Sequence, residues 1–108
     1  MQASPMLDQE TVDDVIERVV RSRFPNVQID SVEVVPDVDL DGDRMLRITV
    51  VFDGQAGDLD PARMAGLVRH IRSALPASEA NSFPLVTYMT RAEAAYIDNR
   101  AKKRKSRF

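Results

Sequence analysis

Met45-Leu46-Arg47-Ile48-Thr49-Val50-Val51-Phe52-Asp53 is the stretch whose reading decides the fold. Leu46, Ile48, Val50 and Phe52 recur at every second position, the period of a strand that buries one face. Arg47, Thr49 and Val51 then fall on the opposite face. Just upstream the same period appears in Val27 and Ile29, slips near Asp30-Ser31, and resumes in Val32 and Val34, which predicts a strand with a bulge. Asp and Gly crowd the Pro36 to Arg44 segment between the two strands, so an antiparallel hairpin is expected.

Helices flank this hairpin. Residues 11 to 24 place Val12, Val15, Ile16, Val19 and Val20 at helical spacing, with acids in the first turn and Arg18, Arg21 and Arg23 toward the end, as the helix dipole favours. Phe24-Pro25-Asn26 ends that helix, because proline disfavours helical geometry in the residue before it. Beyond the hairpin, Asp60 is suited to an N-cap and Pro61 to the first helical position. Met64, Leu67, Val68, Ile71 and Leu75 form its apolar stripe, and Pro76 stops it. Phe83 to Met89 reads as a third strand, with Pro84 at an edge or at the strand start. Thr90-Arg91-Ala92-Glu93 has the spacing of a capping box and opens a third helix through Ala94, Ala95, Tyr96 and Ile97, which is expected to give way to a basic tail.

The expected fold is α+β: a two-layer α/β sandwich of order α-β-β-α-β-α, with a three-stranded mixed sheet and helices mainly on one face. The third strand could lie beside either hairpin strand. Residues 1–98 are expected to form one small domain and 99–108 a basic C-terminal tail. The second sheet face is left uncovered, and Val35, Val51 and Val86 or Tyr88 are assigned to it, which makes a dimer or partner interface the expectation. This element order resembles the N-terminal domain of the ribosome maturation factor RimP family over residues 12 to 90. Met45 to Val50 stands for the second strand and Leu59-Asp60 for the entry to the next helix. No functional residue is carried over from the resemblance, which lies in element order.

With 108 residues, 44% hydrophobic and 30% charged, the chain has the balance of a globular domain and not of a disordered or collagen-like one. The absence of cysteine excludes disulfides, thiolate metal sites and a cysteine nucleophile, and fits a reducing compartment. No apolar run approaches the ~18 residues of a membrane span, and Asp8, Glu10, Asp13, Asp14 and Glu17 occupy the place of a secretory signal, so a cytoplasmic location is expected. Twelve of the 15 basic residues are Arg, as in the products of GC-rich bacterial genes. The net charge of -2 conceals a split: residues 1–60 carry 14 acids and 5 bases, residues 61–108 carry 3 acids and 10 bases. Such a split suits a bipolar surface, pairing between unlike ends, or an acidic partner.

Three constellations bear on function. Asp37, Asp39, Asp41 and Asp43, with Gly42, resemble the opening of an EF-hand loop and are a calcium candidate, but the twelfth position is Ile48 where that loop has Glu, and strands flank it. Arg100, Lys102, Lys103, Arg104, Lys105 and Arg107 form a run without an acid, suited to nucleic-acid phosphates, RNA before DNA, or to a partner protein. His70 is the single histidine and falls about 120° from the apolar stripe of its helix, so it is expected on the surface, and one histidine makes neither a triad nor a zinc site. No catalytic residue, cofactor or phosphate-binding glycine loop is indicated. The expected function is a non-enzymatic protein-interaction module, self-associating or binding a partner. The alternative is an RNA- or ribosome-associated accessory protein that uses the basic run, with Arg47 assisting.

Overall fold

The structure, a computed structural model, describes residues 11–106. The elements follow in the order α1 (Val12–Arg23), β1 (Gln28–Val38), β2 (Arg44–Asp53), α2 (Pro61–Ala74), β3 (Phe83–Thr90) and α3 (Arg91–Ser106), with short 3-10 turns at Ala56–Asp58 and Ala77–Glu79. This is the expected α+β order.

Local chemistry sets the boundaries. Thr11 Oγ1 accepts from the Asp14 amide at 3.1 Å, one of the first-turn donors that no helical carbonyl reaches. Asp60 plays the same part for α2, accepting from the Ala62 amide at 2.9 Å, with Pro61 next in line. At the start of α3 the capping box is closed in both directions: the Glu93 amide donates to Thr90 Oγ1 at 3.1 Å and the Thr90 amide donates to Glu93 Oε1 at 2.8 Å.

β1 and β2 pair antiparallel from Gln28 opposite Asp53 to Val38 opposite Arg44, and the register shifts between Ile29 and Ser31, where the alternation slips in the sequence. The strands run further toward the turn than the sequence suggests, leaving only residues 39–43 to reverse the chain. Gly42 makes that reversal with φ +84, a conformation that a Cβ disfavours. β3 lies parallel to β2, so the sheet order is β1-β2-β3 with β2 in the centre and α2 as the crossover.

α1 and α2 cover one face of the sheet. Ile48 and Val50 of β2 are buried against Ile16 and Val20 of α1 and Leu67 and Ile71 of α2. Each such side chain contributes about 2 kcal/mol by leaving water. Phe24 ends α1 yet remains in the core, with its ring edge-to-face with Tyr88 at 6.1 Å. The helices meet closely at Gly66: a Cβ there would stand 2.7 Å from Arg23 Nη2. That guanidinium donates to Arg63 O at 3.0 Å, and Arg63 Nη1 in turn donates to Arg23 O at 3.2 Å.

One expectation is corrected. Val86 and Tyr88 pack against the core and do not face the uncovered side, because the parallel register sets Val86 beside Ile48 and Tyr88 beside Val50. Neighbours in register share a face, so Phe83, Leu85, Thr87 and Met89 are the ones turned outward. The helix after β3 continues past residue 98 to Ser106, consistent with the helix propensity of Ala, Lys and Arg. The basic run is therefore the C-terminal half of α3 as far as the described residues reach. Among them no helix is long and apolar enough to cross a membrane.

Candidate functional site

The sheet face that no described element covers is assembled by register. Val35 of β1, Arg47 of β2 and Leu85 of β3 stand in one row across the three strands. Asp37, Met45 and Phe83 form the row nearer the hairpin turn, while Glu33, Thr49 and Thr87, then Ser31, Val51 and Met89, follow toward the other end. Val35, Leu85 and Phe83 remain 46%, 42% and 49% exposed, although each is large and apolar. Val35 and Val51 thus lie on the face expected of them. A solvated sheet face is ordinarily polar, so these three side chains set it apart. Among them Arg47 Nη1 pairs with the diagonal neighbour Asp37 at 3.2 Å.

Charge closes the far end of the face. Arg91, in the first turn of α3, donates from Nε and Nη2 to the two carboxylate oxygens of Asp30 at 2.6 and 2.8 Å, and its Nη2 stands 3.6 Å from Asp53 Oδ2. The hydrogen bonds from Arg91 hold the Asp30 carboxyl below the usual carboxylate range, and the Asp30 carboxylate raises the pKa of Arg91.

Beyond Arg91, α3 packs chiefly on the ends of β3 and β2. Tyr88, Met89, Ala92, Glu93, Tyr96 and Ile97 line an open groove of about 550 Å³ between its first two turns and β3. Tyr96 and Ile97 are 62% and 51% exposed, and Arg100 lies 5.8 Å over the Tyr96 ring. At the hairpin end Val38 and Leu40 are likewise exposed.

The residues singled out in the sequence are distributed as follows. Asp39, Asp41 and Asp43 bring carboxylate oxygens within 4.8 Å of one another, all exposed. Asp37 does not join them, being paired with Arg47. Asp39 Oδ1 accepts from the amides of Asp41 and Asp43, both at 2.9 Å, so this carboxylate shapes the turn. Arg100 is exposed on α3, Lys102, Lys103, Arg104 and Lys105 belong to its last turns, and Arg107 lies outside the described residues. His70 is exposed as expected. Its Nε2 accepts from Arg23 Nη1 at 3.1 Å, since a guanidinium has only donors. Tyr96, Ile97 and the Arg91 bridge were not among the sequence candidates. The capping box was their signal, because it starts the helix directly at the end of β3 and leaves no linker to turn α3 back onto the core.

Comparisons with protein-family models, with curated proteins and with solved structures found no match. The functional reading therefore rests on the site itself.

Proposed function

We propose that this chain is a non-enzymatic protein-interaction module that docks a protein surface on the open face of its sheet. The observation that carries the reading is the row of Val35 and Leu85 flanking Arg47, with Phe83 beside it, on a face that neither α1 nor α2 covers. Withdrawing these side chains from water favours association by roughly 25 cal/mol per Å² of apolar surface, and the Arg47–Asp37 pair among them supplies polar registration. His70 is held by Arg23 and Asp30 by Arg91. The Cys-free, Arg-rich composition suits the cytoplasm of a bacterium as its setting.

The test is capture on tagged full-length chain, co-expressed with an untagged copy and incubated with nuclease-treated lysate, beside a Val35→Glu/Leu85→Glu double variant. Both positions are half exposed, so the variant is expected to melt as the parent does. A protein retained by the parent and lost by the variant supports the reading. Retention unaffected by the double variant overturns it, and partners that disappear with nuclease turn the assignment to nucleic acid and the bases of α3.

A further inference from the structure

The molecule is bipolar along its strands. β2 and β3 run parallel, so both begin at the hairpin turn and both end where α3 departs. At the first end, residues 37–43 carry four carboxylates and no base. At the other, residues 99–106 carry five bases and no acid. Each end also exposes apolar side chains: Leu40 at the turn, Tyr96 and Ile97 on α3. The open face lies between them.

We propose that the occupant of the open face is a second copy of this chain, laid antiparallel across it, so that Leu40 at each turn seats against Tyr96 and Ile97 of the partner. This rests on the reading of the open face as a docking surface and adds the identity and orientation of what docks. Three considerations favour it. Parallel stacking of two copies sets carboxylates on carboxylates and bases on bases, whereas the antiparallel arrangement opposes them at both ends. Extent points the same way. Three strands of about ten residues present a face of roughly 30 by 14 Å, about 420 Å², short of the about 800 Å² per partner of a standard stable interface. The two end contacts, equivalent by the two-fold axis, supply the remainder. A head-to-tail contact of turn with helix leaves one of each exposed and grows without limit, while the isologous arrangement closes.

The experiment is sedimentation equilibrium of the nuclease-treated full chain at low and high salt, with two charge-swapped forms. One is Asp41→Lys/Asp43→Lys, which spares the turn-forming Asp39, and the other is Lys102→Glu/Lys103→Glu/Lys105→Glu. Melting curves confirm that both fold. The parent is expected to be a dimer that weakens with salt. Each swap alone is expected to loosen it at least tenfold, and an equimolar mixture of the two is expected to form a heterodimer, because each then opposes what the other carries. A dimer indifferent to both swaps overturns the antiparallel orientation and leaves the docking face standing. A monomer at about 0.1 mM whose open face still captures another protein overturns the second copy alone. A monomer that captures nothing removes both readings.

Discussion

The Arg91 guanidinium spans the width of the sheet, from the root of α3 to both carboxylate oxygens of Asp30 on β1, at 2.6 and 2.8 Å. Asp53 of the central strand lies beside its path at 3.6 Å. One side chain thus ties the start of α3 to the strand farthest from it, and fixes where the helix leaves the domain. A cation in the first turn of a helix is disfavoured by the dipole, and the two acids offset that.

Because the Asp30 pKa is depressed in the folded state, its pairing stabilises the fold above the ordinary carboxylate pKa, and that contribution is lost as the pH falls through the lower, folded value. The melting temperature of the parent is therefore expected to exceed that of Asp30→Asn at neutral pH and to converge on it in strong acid, once the pH has fallen through the depressed folded value. Melting curves taken across this range check it. A gap that stays constant into strong acid means that the pair does not titrate with folding.

Tyr88 has a buried hydroxyl without a hydrogen-bond partner among the described residues, and burial pushes its pKa up to about 12. Tyr88→Phe keeps the edge-to-face contact with Phe24 and removes the unpaired group, so it is expected to be neutral or to stabilise by up to about 1 kcal/mol. The parent holds the phenol proton in the folded state while the unfolded chain releases it near pH 10. Its stability should therefore fall between about pH 10 and 12, beyond the decline shown by the Phe variant. Denaturant titrations at several alkaline pH values measure the difference.

Ile48, at 1% exposure, is the centre of the central strand. Ile48→Asp puts an unpaired charge against Ile16 and Leu67 and is expected to unfold the domain, whereas Ile48→Val should cost about 1 kcal/mol. Far-ultraviolet circular dichroism separates the two outcomes, and a native spectrum for the Asp variant contradicts the burial of this face.

Gly66→Ala has two opposed effects. Alanine gains about 1 kcal/mol of helix propensity, but its Cβ displaces the tip of Arg23 from the Arg63 carbonyl and from His70, a loss of similar size. The expected net change is within about 0.5 kcal/mol. Gly66→Leu has no such compensation and should separate α1 from α2, lowering stability by more than about 2 kcal/mol in the same denaturant assay.

Removal of residues 99–108, compared at a concentration where the parent is monomeric, is expected to shift the melting temperature by less than about 3 °C, since Ala92, Tyr96 and Ile97 in the first turns of α3 are the ones beside β3. A larger fall in a scanning calorimetry trace shows that the last turns of α3 support the domain.

Much of this architecture is legible in the residues. The alternation of Leu46, Ile48, Val50 and Phe52 names the buried face of β2, the slip at Asp30-Ser31 marks the register shift, and Asp60-Pro61 and Thr90 to Glu93 mark two helix starts. β3 is harder to read because both of its faces are apolar: Phe83 and Leu85 on one side, Val86 and Tyr88 on the other. Only the parallel pairing with β2, which no local pattern encodes, selects between them. The link of Asp30 to Arg91 joins residues 61 positions apart and is equally invisible to periodicity. In the candidate surface, Val35 and Val51 could be placed from the hairpin alone, and Leu85 and Phe83 could not.

The parallel placement of β3 also orders the way the chain reaches this fold. β1 and β2 meet through a five-residue reversal at 39–43, so their pairing closes a short loop and can form on the microsecond scale. Met45 and Phe83, by contrast, are brought side by side only after α2 and its flanking loops have been spanned, about 38 positions of chain. The hairpin is thus an early event and the docking of β3 a late one. Until that late step, Leu46, Ile48 and Val50 lack their third-strand neighbours, and the β3-side edge of β2 is open to another nascent chain as readily as to its own.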